Sequence, residues 1–211
     1  MSFSLGNAPT YRASGPYTFF VPHDRELAAL SVGDSVKLIF EYDTPGEKWS
    51  AERMWVQIDT IDGERLTGRL DNNPDEGFLK LGETIVFERS NVIAIDWVNP
   101  NRAPKVKSAR AFWDFCLVDD CVLDGSEPVE YLYREEPETS GEDSHEDSGW
   151  RLRGREGNAT DEQMANRDVS FVALGAVLNR DDSWISLLDS PVGSAFMRDF
   201  ESNKYVPVSH S

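Results

Sequence analysis

The chain has 211 residues, 38 acidic against 21 basic side chains for a net charge of -17, six Trp and eleven Phe. The aromatic content and a 39% apolar fraction exclude a disordered tail. The acidity excludes binding of nucleic acid or an anionic membrane by charge. No apolar run reaches the ~18 residues that cross a bilayer. Met1-Ser2-Phe3-Ser4 lacks the basic start and apolar run of a signal peptide, so a cytoplasmic protein is expected.

Residues 1–31 read as an entry segment, and residues 32–98 as a small β domain. Val36, Leu38 and Phe40 alternate along a first strand, and Met54-Trp55-Val56-Gln57-Ile58 forms a second. Asp62-Gly63 signals a tight turn, because Gly accepts a positive φ. Leu66, Gly68 and Leu70 alternate on the return strand. Leu81–Phe87 and Val92–Trp97 supply two more strands. Five short strands with tight turns predict an SH3-like barrel. Trp49, Trp55 and Trp97 belong either to its core or to an aromatic peptide groove.

Asn99-Pro100-Asn101-Arg102-Ala103-Pro104 breaks regular structure, so residues 99–106 read as a linker. Residues 107–211 read as a mixed α+β domain, giving an α+β chain overall. Ala109–Phe115 is expected to be a short helix, and Val129, Tyr131 and Tyr133 alternate as on a strand. Residues 135–147 hold seven acidic side chains and no Lys or Arg, the pattern of an exposed loop. Trp150–Arg153 and Val169–Val172 are further strands. Ser190-Pro191 fits a helix start running to about Arg198.

Chemistry-bearing patterns are weak. His23, His145 and His210 lie in settings that suggest no positioned base, and no G-x-S-x-G elbow occurs. Asp71-Asn72-Asn73-Pro74-Asp75 mimics the start of a calcium loop, but Glu76 stands where Gly is required and Gly82 where the bidentate Glu belongs. Phosphate-binding glycine patterns are absent. The expectation is a protein with no catalytic residues, cofactor or metal. Arg151, Arg153 and Arg155 share one face of a strand. They suggest either anion recognition or pairing with the neighbouring acidic loop. Cys116 and Cys121 read as reduced core or boundary thiols.

Three phrases carry a resemblance: Val129-Glu130-Tyr131-Leu132-Tyr133-Arg134-Glu135, Asp147-Ser148-Gly149-Trp150-Arg151, and Trp184 through Phe196, which contains Leu187-Leu188-Asp189-Ser190-Pro191-Val192-Gly193-Ser194-Ala195-Phe196. With them, residues 115–206 resemble a family of immunity proteins of bacterial polymorphic toxin systems. The first half resembles a second, uncharacterised bacterial family through Gly33-Asp34-Ser35-Val36-Lys37, Glu52-Arg53-Met54-Trp55-Val56, Gly68-Arg69-Leu70-Asp71-Asn72 and Leu79-Lys80-Leu81-Gly82.

The first resemblance implies neutralisation of a toxin by direct contact, without catalysis. An acidic protein suits a basic toxin, with charge raising the on-rate and buried aromatics setting the lifetime. The expected partner-binding residues are Glu135, Glu136, Glu138, Glu142, Asp143 and Asp147 on the acidic stretch, with Trp150, Arg151 and Trp184 beside it. The alternatives are a general interaction or regulatory module without a toxin, and an enzyme with a deep polar pocket near Trp150 and Asp189.

Overall fold

The computed structural model describes residues 2–43, 48–75, 79–138 and 145–209. It is mostly β with few helices and forms two compact units, Met1–Ala109 and Arg110–Ser211, each with its own sheet.

The first sheet holds β1 (Phe3–Leu5), β2 (Ser35–Tyr42), β3 (Ala51–Asp62), β4 (Arg65–Leu70), β5 (Thr84–Glu88) and β6 (Ala94–Asp96). The strands follow in order β1 to β5, with β6 also paired to β2, and the sheet curls into a half-barrel. Period-two alternation sends Val36, Leu38, Phe40, Met54, Val56, Ile58, Leu66 and Leu70 inward, all nearly solvent-free. Asp62-Gly63 makes the expected turn, with Gly63 at φ +58°. Gly68 sits beside a bulge in β3, where a Cβ would lie 2.2 Å from the carbonyl oxygen of Gln57.

The entry segment contributes β1 and two short helices that its sequence did not announce. In α1 (Ala8–Ser14) the Asn7 side chain accepts from the Thr10 N–H. In α2 (Asp24–Ala28) His23 Nδ1 accepts from the Arg25 N–H while the Glu26 carboxylate accepts from the His23 N–H. Trp49 is exposed, and two other tryptophans have occupied rings, with Lys37 over Trp55 and Arg102 over Trp97.

The second sheet runs β10 (Val169–Ala173), β7 (Phe115–Asp119), β9 (Asp147–Gly154), β8 (Val129–Arg134), β11 (Ala195–Asp199) and β12 (Lys204–Pro207). Among the described residues only the β7–β9 pair of this sheet is parallel. Cys116, Val118, Leu132, Trp150 and Leu152 are buried together with Val122 of α3 (Asp120–Leu123) and Leu174, Val177 and Leu178 of α5 (Leu174–Leu178).

Two expected helices are corrected. Residues 109–114 are irregular, because the carbonyls of Phe112 and Asp114 accept the N–H groups of Gly175 and Leu174 at the start of α5. Pro191–Ser194 is a turn closed by the Ser194 N–H on the Pro191 carbonyl, with Gly193 at φ +86°. Beyond it, Ala195–Asp199 pairs with β8 as a strand.

Candidate functional site

The three phrases that are far apart in sequence meet at Arg134, the last residue of β8. Its Nε donates to the Ser148 carbonyl at 3.1 Å and its Nη1 to the Ser190 carbonyl at 2.7 Å, while its guanidinium lies 5.7 Å from the centre of the Trp150 ring. Its backbone carbonyl accepts from the Gly193 N–H and its N–H donates to the Ser194 carbonyl. Arg134 was not among the expected site residues. Its position at the end of an alternating strand, on the same side as Leu132, was the available signal.

The Asp147–Trp150 turn has a physical reason at each position. The Asp147 carboxylate accepts from the N–H groups of Glu138 and Gly149 and from both Nη atoms of Arg151. Ser148 Oγ donates to the Phe115 carbonyl and accepts from the Trp150 N–H. Gly149 sits at φ +78°, and a Cβ there would lie 2.2 Å from the Glu135 carbonyl oxygen, so no other residue fits. Trp150 is fully buried against Trp184, and its indole N–H donates to the Leu188 carbonyl at 3.3 Å.

These contacts correct part of the expected partner surface. Trp150 and Trp184 have no solvent exposure, and Asp147 and Arg151 are buried too, so none of the four offers a side chain to a docking protein. Each is held inside because it packs or pairs there. Burial opposes ionisation of Asp147, but hydrogen bonds from Arg151 and two backbone N–H groups outweigh it and hold its pKa below the ordinary carboxylate value. The hydrogen bond to Asp147 in turn raises the pKa of Arg151. Glu135, Glu136 and Glu138 are exposed as expected, and Glu135 also accepts from Arg151 Nε at 3.0 Å. Glu142 and Asp143 lie outside the described residues.

Of the arginine row, Arg151 and Arg153 are internally paired, the latter with Nε 2.8 Å from Asp119 Oδ1. Arg155 is exposed with its guanidinium over the Phe200 ring. Burial pushes the Cys116 thiol up to about 12, which leaves it inert. His145 stacks on Phe115 with ring centres 3.9 Å apart, and His23 caps α2. His210 lies outside the described residues.

α3 and α5 pack on one face of the second sheet, and the other carries two rows of side chains fixed by strand register, the second of them met by α4 (Asp161–Ala165), whose Met164 carbonyl accepts from Arg153 Nη2, and by Arg167, which reaches Asp119. One row runs Phe171, Leu117, Arg151, Tyr133, Ala195. The next takes in Val169, Asp119, Arg153, Tyr131, Met197 and Val206. Phe171, Val169, Met197 and Val206 are exposed, and Leu117, Tyr131 and Tyr133 half-buried. A concavity of about 390 Å³ lined by Tyr131, Arg153, Met164 and Met197 opens beside the second row. The charges inside both rows neutralise one another. What remains is an apolar, aromatic surface bordered by Glu135, Glu136, Glu138 and Glu146, the composition of an interface centre with a polar rim.

Comparison with known protein families matches both halves of the chain and bears out both resemblances. No curated protein and no solved structure matches it. Residues 19–106 match the family described as an uncharacterized protein conserved in bacteria (DUF2314), and residues 116–209 match the Immunity protein Imm33 domain. Each half of this chain is thus matched by a family of its own, the second of them an immunity protein domain.

Proposed function

We propose that this chain is a non-catalytic immunity protein that neutralises a basic bacterial toxin in the cytoplasm by direct contact, through the face of its second sheet that lies away from α3 and α5. The observation that carries the reading is that face: aromatic and aliphatic side chains in register, internal charges already cancelled, and an acidic rim. Cancelled charges lower the desolvation cost of docking, and exposed rim charges speed encounter with a basic partner. The immunity-domain match supports a protein partner. For the first half we infer an SH3-like relationship from its curled five-strand path.

The test is capture of partners with the tagged full-length protein from its native host, at low and moderate salt. One basic, growth-inhibiting protein is expected. Tyr131→Ala with Tyr133→Ala is expected to abolish both its capture and the protection of cells. Glu136→Lys with Glu138→Lys is expected to slow association about tenfold at low salt and less at high salt. Recovery of non-toxic partners only would replace this reading with a general interaction module. Unchanged capture by the tyrosine variant would move the contact off this face.

A further inference from the structure

The second sheet has two edges of different construction. β12 carries Lys204 and Pro207, both of which discourage a further strand. β10 reads Val-Ser-Phe-Val-Ala, with no charge, proline or glycine, and it pairs with β7 alone among the described residues. Its register is evenly antiparallel, without a bulge.

The ladder fixes which backbone groups point outward. The Asp120 N–H donates to the Asp168 carbonyl and the Leu174 N–H to the Asp114 carbonyl, so the hydrogen-bonded pairs are 168 with 120, 170 with 118, 172 with 116 and 174 with 114. The N–H and C=O groups of Val169 and Phe171 and the N–H of Ala173 therefore turn away from β7, while the Ala173 carbonyl, at the N-cap of α5, accepts the first bond of that helix. Val169 and Phe171 are 49% and 40% exposed, so this edge is open among the described residues. Both belong to the apolar face described above and make edge and face continuous.

Charge around the edge is mainly acidic. Asp168 is exposed at its start, and Asp114 and Glu146 are exposed near its end. Arg167 is turned inward onto Asp119 and the carbonyls of Gly154 and Arg155, and Arg110, near Asp114, is held by both carboxylate oxygens of Asp189. A second copy would bring the same acidic flanks and the same net charge of -17.

Resting on the face reading, we propose that β10 is the recognition edge for an extended, basic segment of the partner, which adds to the second sheet as a seventh strand. Backbone pairing at Val169 and Phe171 and at the Ala173 N–H gives the affinity. Alternate apolar side chains of the partner lie beside Phe171, and its lysines or arginines meet Asp168, Asp114 and Glu146.

The probe is a synthetic decapeptide of alternating lysine and valine, bound to the full-length protein and followed by fluorescence anisotropy and amide hydrogen exchange. Three results are expected. The peptide slows exchange of the Val169, Phe171 and Ala173 amides. Its glutamate–valine counterpart and a version N-methylated on the pairing edge bind at least about tenfold more weakly. Phe171→Pro, which removes an outward donor and spares the pairing to β7, weakens binding about tenfold, while Phe171→Thr retains it.

Equal binding of the N-methylated peptide, protection at β12 instead, or no binding at all would overturn the proposal. Protection of the same amides by concentration-dependent self-association would overturn it in favour of a second copy. If Phe171→Pro does not fold, the N-methylated peptide still decides. The two readings separate by capture of the native partner. Loss with the tyrosine variant but not with Phe171→Pro keeps the face and rejects the edge. Retention with both rejects the face, and the edge is then judged by the peptide alone.

Discussion

The two sheets solve the problem of their outward faces differently. The first turns Lys37, Gln57, Asp59, Arg69 and Glu88 outward, and its buried charge is Asp34. That carboxylate accepts from the N–H groups of Ser31 and Val98 and pairs with Arg102, so it ties residues 97–102 to the start of β2. The second sheet carries Phe171, Tyr133, Tyr131 and Met197 on the side away from α3 and α5, and buries Asp119, Asp147 and Arg151 among its strands. A polar outer face needs no partner. An apolar one with internally neutralised charge is costly to leave in water and cheap to dock, and this supports the proposed placement of the interaction surface on the second sheet.

The largest effect that would sharpen this contrast is expected at Trp150. Trp150→Ala removes a fully buried indole and its hydrogen bond to Leu188, and should cost about 3–5 kcal/mol in urea unfolding. Val86→Thr, on the outer face of the first sheet, should stay within about 0.5 kcal/mol. A similar cost for both would break the comparison.

Asp147→Ala leaves Arg151 buried beside Glu135 alone and should cost about 3 kcal/mol at neutral pH. The pH dependence has a definite sign. A carboxylate whose folded pKa is depressed contributes fully above its ordinary value of 3.8, and the contribution is lost as pH falls through the folded value. Asp147→Asn should therefore flatten the acid limb of stability below about pH 4, measured by circular dichroism across a pH series. An unchanged acid limb would show that Asp147 does not anchor the turn.

The smallest of the three compares two glycines. Gly63→Ala puts a Cβ into open space at φ +58° and should cost about 1 kcal/mol. Gly149→Ala adds a collision with the Glu135 carbonyl to the same backbone strain and should cost about 2 kcal/mol or more. Equal losses would mean that the Asp147–Trp150 turn has room to relax.

The sequence by itself determined what local chemistry dictates. The alternation through Val36, Leu38 and Phe40 sets a buried strand face, and Asp62-Gly63 sets a turn. The seven acids of residues 135–147 forecast an exposed edge, and Glu135, Glu136 and Glu138 are exposed. The three phrases marked the resemblance that the immunity-domain match bears out. Their meaning waited for the fold, because Arg134 joins them across 56 residues of chain through backbone carbonyls that no pattern identifies.

Tertiary structure also decided the cases where one pattern allows two outcomes. Ala195–Asp199 suits a helix turn or a strand, and pairing to β8 makes it a strand. Trp150 and Trp184 suit a core or an interface, and packing against one another places them inside. The row of Phe171, Leu117, Arg151 and Tyr133 comes from four strands, and strand register alone sets those side chains next to each other.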